Sequence, residues 1–204
     1  MAIVNGYCAL SELKTYLGLS GSGQDDNLEN AIEGASREID QYTGRIFYQT
    51  SSQDNYYTPN NFFMQAVDDI STATGLVVKL DTTDDGTHNK TLTKDTDFAL
   101  LPVNVTNALD QNQPYTHIKI LDNRSSERFD PDIFNNIKVT AQFGFSSVPD
   151  AIKQATFLQA TRLFKRKDSP FSVYGNPETG TAELFNKFDP DALKLIKGYS
   201  KRKL

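Results

Sequence analysis

The chain reads as an α+β protein in which helices at both ends enclose an inserted antiparallel β unit. Three observations predict this. Apolar residues recur at helical spacing over residues 11–42 and again over 149–168. Between them, from about Arg45 to Phe145, the pattern changes to short runs of strand type separated by turn residues. The order of helix, strands and helix lacks the repeated strand–helix–strand units of a parallel sheet. The helical core is therefore assigned to residues 1–47 and 146–204, comprising N-terminal helices, a long helix near 149–168, an arm and a C-terminal helix. Residues 48–145 form the inserted β-rich unit.

Each element has its own signal. Residues 11–17 form a short helix closed by Gly18, and Gly21-Ser22-Gly23 makes a flexible link. Asp25 or Asp26 then caps a longer helix, with Glu29 three residues after Asp26 at capping-box spacing. Leu28, Ala31, Ile32, Ala35, Ile39 and Tyr42 share one narrow face, Glu29, Glu33, Arg37 and Asp40 lie off it, and Gly44 supplies the C-terminal cap. In the middle, residues 76–80, 98–101, 117–121 and 137–143 are the β-type runs, and the last alternates strictly enough for a half-buried strand. Asp84-Asp85-Gly86 and residues 107–114 are the turn-rich separators. The aromatic stretch Tyr56-Tyr57-Thr58-Pro59-Asn60-Asn61-Phe62-Phe63 is read first as strand packing and second as a protein interface. With no Lys or Arg between Arg45 and Lys79, it makes a poor nucleic-acid stacking platform.

Residues 148–171, VPDAIKQATFLQATRLFKRKDSPF, carry the most information. Pro149 fits the first helical position, with Ser146 or Ser147 capping ahead of it. Ile152, Ala155, Ala160 and Leu163 form one stripe, and Phe157 with Phe164 forms another, about 120–140° away at about 100° per residue. Covering one core takes one stripe. The second predicts burial from another direction, within the subunit or against a neighbour. Lys165, Arg166 and Lys167 complement the helix C-terminus, and Ser169-Pro170 ends the helix. Gly175, Pro177 and Gly180 then mark a long loop or extended arm. Asp189-Pro190 starts a final short helix reaching Tyr199, with Leu193, Ile196 and Lys197 at helical spacing.

Composition narrows the classes of function. A chain of 204 residues with 38% hydrophobic content can bury a real core. The single cysteine, Cys8, excludes an intrachain disulfide. No apolar run approaches the roughly 18 residues of a membrane span, so no membrane partner is expected. The first residues lack the basic start and long apolar segment of a signal peptide. The net charge of −5 is unevenly placed: residues 149–204 hold 11 Lys+Arg against 6 Asp+Glu, and residues 1–148 hold 10 against 20. An acidic body makes a poor nucleic-acid clamp, because phosphate neutralisation dominates that affinity. The basic end suits an acidic partner, or is simply a solvated helix end and tail.

Chemistry is thin. His88 and His117 have no HxH, HExxH or CxxC spacing beside them, and Cys8 sits in an apolar setting that suits packing. Asp81-x-Thr83-x-Asp85-Gly86 partly mimics a calcium loop, but Leu92 stands where that loop requires a bidentate Glu, and a hairpin turn explains it better. Gly18-x-x-Gly21-x-Gly23 follows a helix and lacks a Lys-Ser/Thr ending, so it reads as a linker. Asp68-Asp69 and Asp130-Pro131-Asp132 read as solvated turn residues. No catalytic residue, cofactor or metal is expected.

Taken together, several segments form an ordered set: Tyr7-Cys8-Ala9-Leu10-Ser11-Glu12-Leu13-Lys14-Thr15-Tyr16-Leu17-Gly18, Asp25-Asp26-Asn27-Leu28-Glu29-Asn30-Ala31-Ile32, Ala35-Ser36-Arg37-Glu38-Ile39-Asp40, Thr43-Gly44-Arg45-Ile46-Phe47, Val148-Pro149-Asp150-Ala151-Ile152-Lys153-Gln154-Ala155 and Lys165-Arg166-Lys167-Asp168-Ser169-Pro170-Phe171. This set resembles the head–tail connector (adaptor) proteins of long-tailed bacteriophages. The resemblance covers about 1–47 and 137–199, and the β unit looks like the insertion of the longer members. It implies a non-enzymatic virion protein of the neck, made in the host cytoplasm. Such proteins form a homo-oligomeric ring, usually of twelve copies, docked below the portal. The ring extends the channel through which double-stranded DNA passes without sequence-specific binding, and it provides the platform for stopper or tail-completion proteins. The family's portal contact maps onto Leu193, Ile196, Tyr199, Lys201, Arg202 and Lys203, so ending the chain after Lys187 should weaken portal binding more than the subunit fold. The twice-striped helix offers Ile152, Phe157, Leu163 and Phe164 as a candidate subunit interface. The alternative is a β-rich binding module of a virion that recognises a host or cell-surface ligand.

Overall fold

The computed structural model describes residues 3–104, 113–167, 173–175, 182–184 and 188–201. The chain divides into two compact units, one of residues 1–47 with 148–204 and one of 48–147. The expected α+β class is what is found.

The first unit holds α1 (Leu10–Leu17), α2 (Asp25–Thr43), α3 (Asp150–Arg166) and α4 (Pro190–Ile196), followed by a 3-10 turn over Lys197–Tyr199. Leu28, Ile32, Ala35 and Ile39 of α2 are buried along its predicted stripe, and each large aliphatic among them contributes about 1.5–3 kcal/mol. Leu28, Ile32 and Ala35 meet Leu13 of α1 and Ala160 of α3, with Leu10, Leu17, Phe157, Leu163 and Phe164 packed around the rim. α3 packs against α2, α4 and α1. Gly44 closes α2 at φ 67°, a left-handed conformation that costs glycine nothing, and its N–H reaches the Asp40 carbonyl at 2.8 Å. Asp189 caps α4, accepting from the N–H groups of Asp191 (2.9 Å) and Ala192 (3.1 Å), with Pro190 at the first helical position as expected.

Two predicted caps are corrected. α2 starts at Asp25 behind Gln24, which makes no side-chain cap; Asp25 instead pairs with Lys14 at 2.7 Å, closing the link from α1. Asp26 and Glu29 therefore form no capping box. Pro149 stands just before α3 in extended conformation (φ −61°, ψ 146°), and neither Ser146 nor Ser147 caps the helix. The predicted stop at Ser169-Pro170 lies outside the described residues.

The strands of the second unit pair antiparallel in two sheets. β1 (Gln53–Tyr57), β7 (Ile137–Ala141), β3 (Val77–Leu80) and β4 (Lys90–Leu92) form one sheet in the order β1-β7-β3-β4. β2 (Met64–Ile70), β6 (Tyr115–Ile120) and β5 (Phe98–Leu101) form the other, in the order β2-β6-β5. Alternate residues of both point into one core, including Val78, Leu80, Phe98, Leu100, Ile118, Ile120, Ile137 and Val139, with Phe129 filling it from a loop. β1 and β2 are laced together where Asn55 and Tyr57 donate to Asp68, each at 3.1 Å. A register shift between Ala66 and Ile70 then turns the end of β2 toward the residues just after β7: Ser71 N–H bonds the Gln142 carbonyl at 2.9 Å. These contacts cover what would otherwise be open sheet edges.

The predicted runs at 76–80, 98–101, 117–121 and 137–143 are β3, β5, β6 and β7, with ends shifted by one or two residues. β1, β2 and β4 are additions. Within the predicted arm, β8 (Val173–Gly175) pairs antiparallel with β9 (Ala182–Leu184).

Candidate functional site

Among the described residues no three His, Cys, Asp or Glu side chains are grouped so as to hold a metal ion. Each chemically tempting residue has a structural partner. His88 Nε2 lies 2.9 Å from the Asn135 carbonyl, and the His117 ring is 2.9 Å from the Thr116 hydroxyl. Asp81 is buried, and its carboxylate accepts the N–H groups of Thr83 (3.0 Å), Asp84 (2.9 Å) and Gly86 (2.8 Å). These donors, Thr83 first, hold its carboxyl below the usual carboxylate range. The turn expected in place of a calcium loop is thus what the residues build. Cys8 is buried, which, with Glu12 nearby, pushes its thiol from 9.0 up to about 12 and leaves it inert.

Tyr7 and its partners form a polar knot that the sequence did not announce. The Tyr7 hydroxyl donates to Asp40 and accepts the Phe47 N–H at 2.9 Å, while its own N–H reaches Ser36 Oγ at 3.1 Å. Its ring meets Phe47 edge-on at 5.6 Å, and Phe47 meets Tyr199 the same way at 5.6 Å. Burial first, then the Asp40 hydrogen bond, raises the Tyr7 pKa well above its ordinary 10.0. Tyr7 and Cys8 are acids whose folded values exceed their unfolded ones. The Cys8 contribution is complete below about pH 9 and is lost as pH rises toward 12, and that of Tyr7 is complete below about pH 10 and declines above it. The melting temperature should therefore fall above pH 9 more steeply in the native chain than in a Tyr7→Phe, Cys8→Ala double variant. Parallel pH profiles would remove these groups from the stability balance.

The functional residues that remain are surfaces. Of the four interface residues read from α3, Ile152 is fully enclosed within its own subunit. Phe157, Leu163 and Phe164 are half-buried at the rim of the helical core. Phe157 stacks against Tyr16 of α1 at 5.3 Å and 12°, and the Lys167 ammonium sits 4.4 Å from the centre of the Phe164 ring. Much of the second burial direction is therefore supplied by α1 of the same chain. Glu12 of α1 and Lys153 of α3 pair at 2.6 Å, which lowers the Glu12 pKa and raises that of Lys153.

The C-terminal residues divide in the same way. Ile196 is fully buried, Leu193 and Tyr199 are half-buried, and Lys201 N–H bonds the Thr43 carbonyl at 2.8 Å. Arg202 and Lys203 lie outside the described residues. In the β unit, the loop after β1 leaves Phe62 52% exposed, and Phe134 stands 77% exposed. The loops bearing them are joined by the bond from Asn135 N–H to Thr58 Oγ1 at 2.9 Å. The 56–63 stretch therefore divides: Tyr56 and Tyr57 belong to a strand, while Phe62 and Phe63 face outward.

Residues 7–75, spanning α1, α2, β1 and β2, match the family of phage gp6-like head-tail connector proteins. That match bears out the resemblance of the N-terminal segments to connector proteins. No sequence among curated proteins matches. Two solved structures are similar in fold over 100% of this chain and 94% of theirs: a chain from the neck of an empty gene transfer agent (GTA) particle computed with C6 symmetry (16% identity, TM-score 0.56), and one from the virion of a native GTA particle (15%, 0.51).

Proposed function

We propose that this chain is a structural, non-enzymatic protein of a virion neck, acting as one copy of a ring between the portal and the tail. The observation that carries this reading is the connector-family match over residues 7–75, joined to a fold that both units share with a particle-neck chain. The ring extends the DNA channel and gives stopper or tail-completion proteins their platform. Duplex DNA slides through it without sequence-specific contacts. Twelve copies satisfy the sixfold axis of the similar neck as well as six do. Subunits meet through the Phe157, Leu163 and Phe164 side of α3. The portal meets the end of the chain through Leu193, Tyr199, Lys201, Arg202 and Lys203. Native mass spectrometry and negative-stain microscopy of the purified protein, alone and with its portal, test this. Closed rings are the expected result, and monomer under both conditions would end the reading.

A second reading attaches to the β unit, where exposed Phe62 and Phe134 make a surface suited to recognising a host or cell-surface ligand. Particles carrying Phe62→Ser and Phe134→Ser would then assemble normally yet adsorb poorly to host cells. Impaired assembly would reject it.

A further inference from the structure

The two sheets of the β unit turn unlike faces outward. In a two-sheet sandwich the residues that alternate with core positions meet water and are mostly polar. The sheet β1-β7-β3-β4 follows that rule: its register sets Tyr56, Lys138, Lys79 and Thr91 in one outward row and Asp54, Thr140 and Val77 in the next. The sheet β2-β6-β5 departs from it. Ile118, Ile120, Phe98 and Leu100 point into the core, so the rows between them, Met64–Lys119–Ala99 and Ala66–His117–Leu101, point out. All but Lys119 and His117 are apolar. Met64 is 42% exposed, Ala66 and Lys119 are exposed, and Ala99 and Leu101 are half-buried.

Beside these rows, Ala99, Lys119 and Leu121 line a cleft of about 430 Å3 together with Asp95, Asp122 and Arg124. Its charges are unevenly matched. Asp95 is paired with Lys94 at 2.7 Å, and Asp122 with Arg128. Lys119 makes no ion pair among the described residues, and the Arg124 guanidinium donates to a backbone carbonyl, that of Asp95, at 3.2 Å. The face thus joins an apolar floor to two cations that lack carboxylate partners.

We propose that this face is where the ring takes hold of the stopper or tail-completion protein, and that the segment it receives is apolar and carries carboxylates. This rests on the ring reading above and gives its docking platform a surface and a partner chemistry. Ala66 and Ala99 let a partner approach closely, while Met64 and Leu101 supply apolar area and Met64 adapts its shape. Covering Lys119 and Arg124 without counter-charges would be costly, so the partner must bring them. A second copy of the same face cannot, because like charges would meet.

Two variants of the full-length chain, carried in particles, test this. Lys119→Glu with Arg124→Glu reverses both cations, and Ala99→Trp fills the cleft. Each should leave rings, portal binding and melting temperature close to native while the yield of tailed particles falls about tenfold or more. Electron micrographs should then show DNA-filled heads that carry a neck ring and no tail. Suppressors of the charge reversal should change Asp or Glu to Lys in a second virion protein. Tailed particles at native yield in both variants would overturn the proposal. So would loss of rings, which makes the face a contact between subunits, or tailed particles that only adsorb poorly, which makes it a host-recognition surface. Suppressors confined to this chain would count against it equally. A native chain that forms no ring, with or without portal, would end the ring reading and this proposal together.

Discussion

Ending the chain after Lys187 is expected to destroy the cooperative fold of the helical unit, not merely its docking. α4 is a wall of the core: Ala192 and Ile196 are fully buried, and α3 packs against it as well as against α2. Its cap residue also satisfies a buried amide, since the side-chain oxygen of Gln159 on α3 accepts the Asp189 N–H at 2.9 Å. Deletion removes Tyr199 from the edge of Phe47 and breaks the bond from Lys201 N–H to the Thr43 carbonyl. Losing one buried Ile costs about 2–5 kcal/mol. Loss of the Asp189 N–H from the Gln159 side-chain oxygen adds about 0.5–1.5 kcal/mol. The total rivals the roughly 5–15 kcal/mol that holds a whole domain. Circular dichroism should find the thermal transition of the truncated chain broadened or displaced by more than 15 °C. A chain that melts like the native one and only binds portal poorly would restore the weaker role that the sequence suggests for this segment. The intermediate variant Ile196→Asp should reproduce most of the loss, because a charge enters a site with no partner.

The α4 result marks where sequence reading works and where it stops. Local signals were legible: Gly18 and Gly44 in left-handed caps, the apolar stripe of α2, the Asp189-Pro190 start of α4 and the alternation of β7 all have short-range causes. Three strands escaped detection, Gln53–Tyr57, Met64–Ile70 and Lys90–Leu92; all lie at sheet edges, and the first and third are mostly solvent-facing on both sides, where alternation has nothing to record. The Asp25/Asp26 cap failed because a tertiary partner intervened: Lys14 takes Asp25 and fixes where α2 begins. The two stripes of α3 were read correctly as two directions of burial. That Tyr16 and α4 of the same chain would supply much of the cover depends on contacts between elements far apart in sequence. The candidate surfaces suffer from the same limit, since Phe134 looks like a core residue until the fold leaves it outside.

Replacing Asn136 by Ala is expected to cost the β unit about 2–3 kcal/mol, a large effect for one polar side chain. Asn136 is buried at the foot of β7 and carries three hydrogen bonds in a row. Its Nδ2 donates to the Asp81 carbonyl at 2.7 Å, its Oδ1 accepts the Asp130 N–H at 3.0 Å, and its own carbonyl accepts the Asp81 N–H at 2.8 Å. Only the last survives the substitution. The Asp81 carbonyl and Asp130 N–H are left without partners where water enters poorly, and each such group costs about 1–3 kcal/mol. Urea titration should find the midpoint lowered at unchanged slope. The pH dependence separates this contribution from the carboxylate next to it. Asp81 has a depressed pKa, so its share is present above about pH 4 and is lost as pH falls through its folded value. The loss from Asn136→Ala involves no proton and should stay constant from pH 8 to pH 5. Asn136→Asp keeps the acceptor for Asp130 but sets a carboxylate against the Asp81 carbonyl, so its deficit should exceed that of Ala at pH 7 and shrink on acidification as the new carboxyl protonates and donates again. If Ala and Asp cost the same at every pH, or less than about 0.5 kcal/mol each, the turn at 81–86 is held by its backbone alone and Asn136 is a bystander.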